Sequence, residues 1–333
     1  MHILPDHPRK PAPSAERPVV DRMQGAQALR APAGDTPDAQ ALDPRVIRRA
    51  FGRAVATYDA AAALQREVFQ RMFARLDLVT LQPQHVLDAG CGTGFGTRLL
   101  AARFPAARVT GADFALPMLE LAQASGPVPS RWTRALRAVG AGGSAAPLRY
   151  VCADIAALPL ASGSVDLVAS NLALQWMPDL PRALRELHRV LAAGGLLQFT
   201  TLGPDTLREL RAAFDDGRPH VSRFVDMHDV GDLLQHAGFA DPVMDMEYVT
   251  LTYATPRAAL AELKALGATN ATMGRPRGLM GRTALARVEA ALAAAARDGR
   301  IPATYEVVHG HAWKAAPRHT ADGQAIVHFR DRP

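Results

Sequence analysis

The sequence has 333 residues, of which 48% are hydrophobic and 21% are charged, and its mean hydropathy is −0.03. This composition is typical of globular proteins and excludes a mainly disordered or fibrous chain. No stretch approaches the roughly 20 apolar residues that a membrane-spanning helix needs, and the N-terminus lacks the apolar core of a secretory signal. The net charge of +6 is spread along the chain, whereas a nucleic-acid-binding face needs a clustered basic stripe. We therefore expect no membrane and no nucleic acid as a partner.

The sequence has only two cysteines, Cys91 and Cys152, and they do not form a CxxC pair. A disulfide framework or a cysteine-based zinc site needs more ligands than this. The histidines are also dispersed along the chain. We therefore expect a cytoplasmic protein that holds no metal.

The predicted elements begin after a flexible N-terminal extension. Residues 1–43 are rich in proline, alanine and glycine and have no apolar periodicity, so they bury too little surface to offset the entropy of ordering. Over residues 44–76 the apolar side chains recur at helical spacing. This spacing predicts one or two amphipathic helices.

From Gln84 onward, short strands rich in valine and leucine alternate with helices. The alternation predicts an α/β fold, in which helices cover both faces of a mostly parallel sheet. A stretch rich in glycine, proline and alanine, 125–147, predicts a surface insertion. The predicted strands are 85–90, 108–113, 149–154, 165–170 and 195–201, and the predicted helices between them are 97–103, 117–124 and 181–191.

Beyond Thr201 the pattern predicts C-terminal helical additions and two more strands. The chain is expected to end in a short tail, 315–333, so that the main domain spans 44–314. The predicted helices of this part are 205–214, 226–237, 256–266 and 284–296, and the predicted strands are 244–253 and 304–311.

A glycine-rich turn, Asp88-Ala-Gly90-Cys-Gly92-Thr-Gly94, follows the first strand and opens a helix. Glycines at this place let the backbone turn tightly and approach a ligand that a Cβ atom would block. The spacing does not fit the dinucleotide fingerprint GxGxxG, and no Gly-Lys-Ser/Thr follows, as a P-loop requires. Asp88 adds a carboxylate, which suits an ammonium group better than a pyrophosphate.

Two more carboxylates are expected at the same edge of the sheet. Asp113 ends the second strand, where it can accept both hydroxyls of a ribose, and Asp154 ends the predicted third strand, where it can accept from an exocyclic amine. Together with Asp88 and the glycine turn they describe a ligand with an ammonium, a diol and an adenine, and without phosphates. S-adenosylmethionine fits this description, although one strand-end aspartate alone is also an ordinary helix cap.

The turn from Asp88 to Gly94 matches the motif DxGxGxG and resembles that of the class I S-adenosylmethionine-dependent methyltransferases. The resemblance covers about residues 84–199. It implies a Rossmann-like sheet of seven mostly parallel strands with one antiparallel strand, and an adenine flanked by Phe114 and Met118. The cofactor-binding residues that it implies are Asp88, Gly90, Gly92, Gly94, Asp113, Phe114, Met118, Asp154, Ile155, Asn171 and Leu172.

Missing motifs exclude several classes of methyl acceptor. DNA amino methylation would need an Asn/Asp-Pro-Pro-aromatic run after the fourth strand, where this chain has SNLALQW at 170–176. Cytosine C5 methylation would need a Pro-Cys nucleophile, and a catechol-type reaction would need a metal site. A carboxylate acceptor needs no general base at neutral pH because it is already ionised, but it needs a cation or hydrogen-bond donors to orient it.

Outside the cofactor core, the chain resembles the malonyl-[acyl-carrier protein] O-methyltransferases of biotin synthesis over about residues 49–314. This resemblance implies methyl transfer from S-adenosylmethionine to the free carboxylate of a malonyl thioester, and a helical lid over residues 44–80. The strings that carry the resemblance, in this order, are FGRAVATYD at 51–59, SNLALQW at 170–176, PRALRELHRVL at 181–191, FTTLGPDTLREL at 199–210, HVSRF at 220–224 and LKALGATN at 263–270.

The same resemblance implies roles for residues around the acceptor. Phe51 and Tyr58 belong to the lid over the cofactor, and the Tyr58 hydroxyl lies near the sulfonium or the acceptor carboxylate. We hypothesise that Arg53 or Arg223 pairs with the malonyl carboxylate. Gln175 and Trp176 are expected to line the slot that holds it.

The expected partner is malonyl-acyl-carrier protein or malonyl-CoA. Acyl-carrier proteins are acidic, and residues 275–300 have six arginines but only two acids. We predict that this stretch steers the carrier towards the enzyme. The six arginines are Arg275, Arg277, Arg282, Arg287, Arg297 and Arg300.

Three other interpretations stay open at this point. GPDTLREL, DLLQHAGF and IPATYEVVHGHAWK also resemble a methyltransferase-like assembly factor of respiratory complex I that hydroxylates a protein arginine. The core motifs alone also fit a methyltransferase of a quinone or another small metabolite, or a non-catalytic module that keeps the cofactor fold. FGRAVATYD favours the malonyl family over the assembly factor, and the intact acids and glycines favour an enzyme.

Overall fold

The computed structural model describes residues 38–125, 148–214, 216–276, 278 and 280–316. The expected extension and tail and the expected insertion lie almost entirely outside these residues, so their bounds stay a prediction. The helices are α1 (Pro44–Ala61), α2 (Ala63–Arg75), α3 (Phe95–Arg103), α4 (Leu116–Ala124), α5 (Leu180–Val190), α6 (Arg208–Ala212), α7 (Met227–His236), α8 (Pro256–Ala265) and α9 (Arg282–Ala294). The strands are β1 (His85–Ala89), β2 (Arg108–Asp113), β3 (Arg149–Cys152), β4 (Val165–Asn171), β5 (Leu191–Leu202), β6 (Ala240–Tyr253) and β7 (Ile301–Trp313).

The strands form one seven-stranded sheet with the order β3-β2-β1-β4-β5-β7-β6. The pairs from β3 to β5 are parallel, and β7 lies antiparallel between β5 and β6. The expected α/β fold with one antiparallel strand is therefore confirmed. Because the strand order reverses between β1 and β4, a crevice opens outside the carboxyl ends of these strands, where ligands bind in folds of this kind.

The central strands are buried on both faces of the sheet. Leu87 and Phe199 pack with the apolar side of α5 on one face, and Val86 and Leu167 pack with Met72 and its neighbours from α2 and α3 on the other. Each of these side chains is at most 2% exposed. Full burial of such a side chain contributes about 1.5–3 kcal/mol, so the sheet gives the crevice a rigid base.

The helices α1 and α2 begin the described domain. Asp43 caps α1, because its carboxylate accepts hydrogen bonds from the backbone N–H groups of Arg45 and Val46, and Pro44 suits the first turn. α1 packs against α4 and α8, and α2 packs against β4 and β5. This placement brings Phe51 and Tyr58 of α1 to the carboxyl ends of the strands, and the lid over residues 44–80 stays a prediction.

The structure shortens one predicted helix and one predicted strand. The helix predicted over 205–214 shortens to α6, because the side chain of Glu306 on β7 accepts from the backbone N–H of Asp205 at 2.7 Å and holds the preceding residues in a turn. The third strand ends at Cys152, so Asp154 follows the strand and does not end it.

No helix within the described residues is both long enough and apolar enough to cross a membrane.

Candidate active site

A pocket with an empty volume of about 510 Å³ lies at the carboxyl ends of β1, β2 and β4. Most of its walls come from the glycine turn after β1, the end of β2, the loop after β4 and helix α1. The residues that line it are Phe51, Tyr58, Gly90, Gly92, Asp113, Phe114, Met118, Ile155, Asn171, Leu172, Ala173, Trp176 and Met177.

The glycine turn takes a backbone path that side chains disfavour. Gly90, Gly92 and Gly94 have φ angles of +81°, +52° and +76°. The backbone N–H of Gly90 donates to the carbonyl of Ala112 at 2.8 Å, which ties the turn to β2. A Cβ atom at Gly90 would overlap with the Cβ of Ala173. The turn therefore lies close against the loop after β4 only because this position is glycine.

Asp113 presents a buried carboxylate to the pocket. Its Oδ2 accepts from the backbone N–H of Gly92 at 2.9 Å, and its Oδ1 accepts from that of Ala115 at 2.8 Å. Burial raises the pKa of Asp113 above its ordinary value, and the two backbone donors act against this rise. Each carboxylate oxygen can accept a second hydrogen bond, so Asp113 can still bind the hydroxyls of a ribose.

Four aromatic rings close the pocket from above. The Phe51 ring on α1 lies edge-on to Trp176, with 5.3 Å between centroids, and edge-on to Phe114, at 6.2 Å. The Tyr58 ring is 6.4 Å from Phe51. Edge-to-face pairs at these distances are favourable, and they join the lid helix to loops from the other side of the pocket.

The Tyr58 hydroxyl stays protonated across the ordinary pH range. Burial raises the pKa of Tyr58 far above its usual value, and the nearby carboxylates of Asp113 and Asp59 raise it further. The Tyr58 ring also lies 3.9 Å from the position of a Cβ atom on Gly92, so the side chain faces the glycine turn. Tyr58 is therefore available as a neutral hydrogen-bond donor in the pocket.

Hydrogen bonds fix α1 to the glycine turn and α2 to the end of β4. The hydroxyl of Thr93 in the glycine turn donates to Asp59 on α1 at 2.6 Å. The side-chain amide of Asn171, at the end of β4, donates to the backbone carbonyl of Gln65 on α2 at 3.0 Å. Leu172, which follows, has a φ of +48°, a strained value for leucine that places it against the pocket.

Three residues expected to contact the cofactor lie outside the pocket wall. The Asp88 carboxylate is buried behind the glycine turn and accepts from the Thr97 hydroxyl at 2.6 Å. Gly94 begins α3, on the far side of the turn. Asp154 is exposed, and its side chain accepts from the backbone N–H of Ala156 at 2.8 Å.

The residues expected around the acceptor are only partly brought together. Trp176 lines the pocket, whereas Gln175 donates from its Nε2 to the carbonyl of Leu172 at 2.8 Å and its Oε1 is buried without a partner among the described residues. Arg53 faces a groove between α1 and α8, and Arg223 lines a third cavity next to His220. The structure does not place either arginine at the pocket.

Sequence reasoning missed two residues of the pocket wall, Ala173 and Met177. Neither residue type carries a chemical signature. The only sequence signal was their position next to Leu172 and Trp176 in the loop after β4, where ligand contacts concentrate in this architecture.

The lining residues fit a cationic nucleoside without phosphates. They supply one carboxylate, one amide, aromatic rings and apolar side chains, and none of the described lining residues is a lysine or an arginine. Aromatic faces attract a positive charge, whereas a pyrophosphate would need cations around it. S-adenosylmethionine, with its ribose, adenine and sulfonium, therefore suits this donor set. The described residues contain no cluster of side chains that could hold a metal ion.

Comparison with known proteins supports the same conclusion. Over residues 87–199 the chain matches the family described as Methyltransferase domain. A malonyl-[acyl-carrier protein] O-methyltransferase of Gallionella capsiferriformans is 54% identical over 288 residues, which cover 86% of this chain and 96% of that protein. A protein of the same name from Methylovorus is 51% identical and covers 89% of this chain and 98% of its own. The chain belongs to the malonyl-[acyl-carrier protein] O-methyltransferase family.

Membership of the malonyl-[acyl-carrier protein] O-methyltransferase family confirms the expected class of enzyme. A more distant member, from Coxiella burnetii, is 39% identical over 82% of this chain and 88% of its own length. Among solved structures, the YcgJ protein from Bacillus subtilis aligns with a TM-score of 0.51 at 14% identity, covering 74% of this chain and 98% of that chain. This likeness shows the fold alone.

Proposed function

We propose that the protein transfers the methyl group of S-adenosylmethionine to the free carboxylate of malonyl-[acyl-carrier protein]. The observation that carries this proposal is the 54% identity to a relative of that name over 96% of the relative's length. The pocket supports it independently, because its lining fits the methyl donor. The product, a malonyl methyl ester, would prime pimelate formation in biotin synthesis, where the ester removes a charge that is costly in an apolar elongation site.

A carboxylate acceptor needs little catalytic assistance from the protein. When bound, S-adenosylmethionine supplies an electrophilic methyl carbon next to its sulfonium sulfur. One oxygen of the malonyl carboxylate bonds to that carbon as the carbon–sulfur bond breaks, which gives the methyl ester and S-adenosylhomocysteine. The carboxylate is already ionised, so no side chain has to remove a proton. The protein has to align the two reactants and keep water out.

The residues of the pocket supply these two functions. We assign the ribose to Asp113, whose carboxylate oxygens keep free lone pairs, and the adenine to the slot between Phe114, Met118 and Ile155. The aromatic cluster around Phe51 excludes water from the reacting atoms.

We assign the orientation of the malonyl carboxylate to neutral donors. Tyr58 carries a protonated hydroxyl into the pocket, and no described cation lines it. Trp176 lines the same space from the loop after β4. Arg53 and Arg223 line other cavities, so the proposal does not depend on them.

The proposal is tested by methylation of a minimal substrate. The purified protein and S-adenosylmethionine are incubated with malonyl-carrier protein and, separately, with the N-acetylcysteamine thioester of malonate. Mass spectrometry should detect the methyl ester of both. The acetyl thioester, which has no free carboxylate, is the matched control and should stay unchanged. Absence of ester from both malonyl substrates, in a preparation that binds S-adenosylmethionine, would refute the proposed acceptor.

A further inference from the structure

A row of arginines lies along the outer side of the lid helix. Arg45, Arg49 and Arg53 on α1 follow one another at intervals of four residues, so they share one side of the helix. All three are exposed. Across a groove from them, Lys264 on α8 is exposed as well. The set Arg45, Arg49, Arg53 and Lys264 is called the basic row below.

These cations are not used within the described structure. None of the four forms an ion pair with a carboxylate of the described residues, whereas Arg71, Arg103 and Arg257 each pair with an acid. Like charges four residues apart destabilise a helix, and positive charges near its N-terminus oppose the helix dipole. Within its first turn α1 has no acidic residue, so the dipole at this end is offset by the capping carboxylate of Asp43, which also lies 3.7 Å from Arg275. Folding alone therefore does not account for the basic row.

The groove below the basic row has a largely apolar lining between its charged residues. Its empty volume is about 1180 Å³, and its floor is apolar, with Val46, Ala50 and Ala261 among its residues. Its two walls are fixed to each other, because the Thr57 hydroxyl on α1 donates to the carbonyl of Ala265 on α8 at 2.8 Å. An apolar floor with a cationic rim complements an acidic surface that presents some apolar side chains.

The position of the groove relates it to the pocket. Phe51 and Tyr58, which line the pocket, lie on the same helix as the basic row but on its inner side. A substrate arm that extends from a partner seated in the groove would therefore cross about one helix diameter, roughly 10 Å, to reach the pocket.

We propose that the basic row of α1 and α8 docks the acidic carrier protein that delivers the malonyl thioester. This inference rests on the proposed function and adds the surface through which the macromolecular substrate is recognised. It differs from the sequence-based expectation, which placed the carrier at residues 275–300. In that stretch Arg275 lies 3.7 Å from Asp43 and Arg300 bonds to Thr252, while Arg277 lies outside the described residues.

The test compares a large and a small acceptor. The variant Arg49→Glu/Lys264→Glu is assayed with malonyl-carrier protein and with the N-acetylcysteamine thioester of malonate. The thiol part of this small thioester is uncharged. The value of kcat/KM for the carrier should fall about tenfold or more at low salt, and its salt dependence should weaken. The value for the small thioester should stay within about twofold of the wild type, which also shows that the variant folds. For the milder variant Arg49→Gln/Lys264→Gln, kcat/KM for the carrier should also fall, but by a smaller factor.

The matched control is Arg282→Glu, on α9 within the stretch that the sequence analysis favoured. It should leave kcat/KM for the carrier within about twofold of the wild type. The docking proposal is overturned if both acceptors respond equally to the basic-row variants, or if Arg282→Glu alone impairs the carrier reaction. A change in oligomeric mass with unaltered carrier kinetics would assign the groove to a second copy of the chain and also overturn it. A wild-type protein that methylates neither acceptor would instead refute the proposed function.

Discussion

The buried carboxyl of Asp88 should make the stability of this protein depend on pH. Asp88 is 3% exposed, and burial raises its pKa from 3.8 to about 6, with a further contribution from the neighbouring Asp113. Between these two values the native state holds a proton that the unfolded state has lost. Stability therefore falls as the pH rises through this window.

The magnitude follows from the two pKa values. A rise of the Asp88 pKa from 3.8 to about 6 corresponds to about 3 kcal/mol over the whole window, of which about half falls between pH 5 and pH 8. Asp88→Asn removes the ionisation but keeps an oxygen that can accept from Thr97. The variant should therefore gain about 1.5 kcal/mol relative to the wild type when the pH is raised from about 5 to about 8.

The assay is urea unfolding of both proteins at the two pH values, without ligand, followed by circular dichroism. Comparison of the two proteins cancels the other titrating groups, which they share. Equal changes in unfolding free energy for the wild type and Asp88→Asn would show that the native Asp88 ionises at its ordinary pKa, and the reasoning from burial would fail.

Three further predictions concern the pocket. Asp113→Asn should weaken binding of S-adenosylmethionine about tenfold or more in calorimetry, because hydrogen bonds to a charged group contribute about 1.5–3 kcal/mol; unchanged affinity would remove Asp113 from the ribose site. Asp59→Ala removes the acceptor of the 2.6 Å hydrogen bond from Thr93 and should weaken the affinity for S-adenosylmethionine about fivefold with little change in Tm. A large fall in Tm would instead show that this hydrogen bond stabilises the fold. Tyr58→Phe should lower kcat and leave the affinity for S-adenosylmethionine within about twofold, and the wild-type rate should show no ionisation of Tyr58 up to about pH 10. A fall in the wild-type rate at alkaline pH that is absent in Tyr58→Phe would contradict this prediction.

The sheet and the glycine turn could be predicted from sequence because each rests on local rules. Strands buried on both faces are continuous runs of valine and leucine, and a ligand-binding turn after the first strand requires glycine. Asp113 was predicted for the same reason, since it ends a strand in this run. The helix predicted over 205–214 was too long because the side chain of Glu306, about a hundred residues away in the sequence, accepts a hydrogen bond from the backbone N–H of Asp205. No local sequence pattern reveals that contact.

The acceptor side of the pocket was harder to predict because it depends on how helices dock. Helical spacing alone places Arg53 about half a turn away from Phe51, so the helical period predicts that the two side chains face opposite sides of α1. For Arg223 no such rule exists, because it lies in an irregular segment before α7. Asp88 shows a further limit, because its residue type predicts a carboxylate near the ligand and the packing around Thr97 turns it inward.

The contact between Gly90 and Ala173 restricts how the pocket could be redesigned. The methyl group of Ala173 occupies the space that a side chain at position 90 would need, so the two positions form one steric unit although they are 83 residues apart in the sequence. In libraries that vary the loop after β4 alone, most of the new side chains would overlap with the turn after β1. Paired exchange is the workable route: Ala173→Gly should partly rescue Gly90→Ala, and the remaining deficit would measure the backbone strain at a φ of +81°.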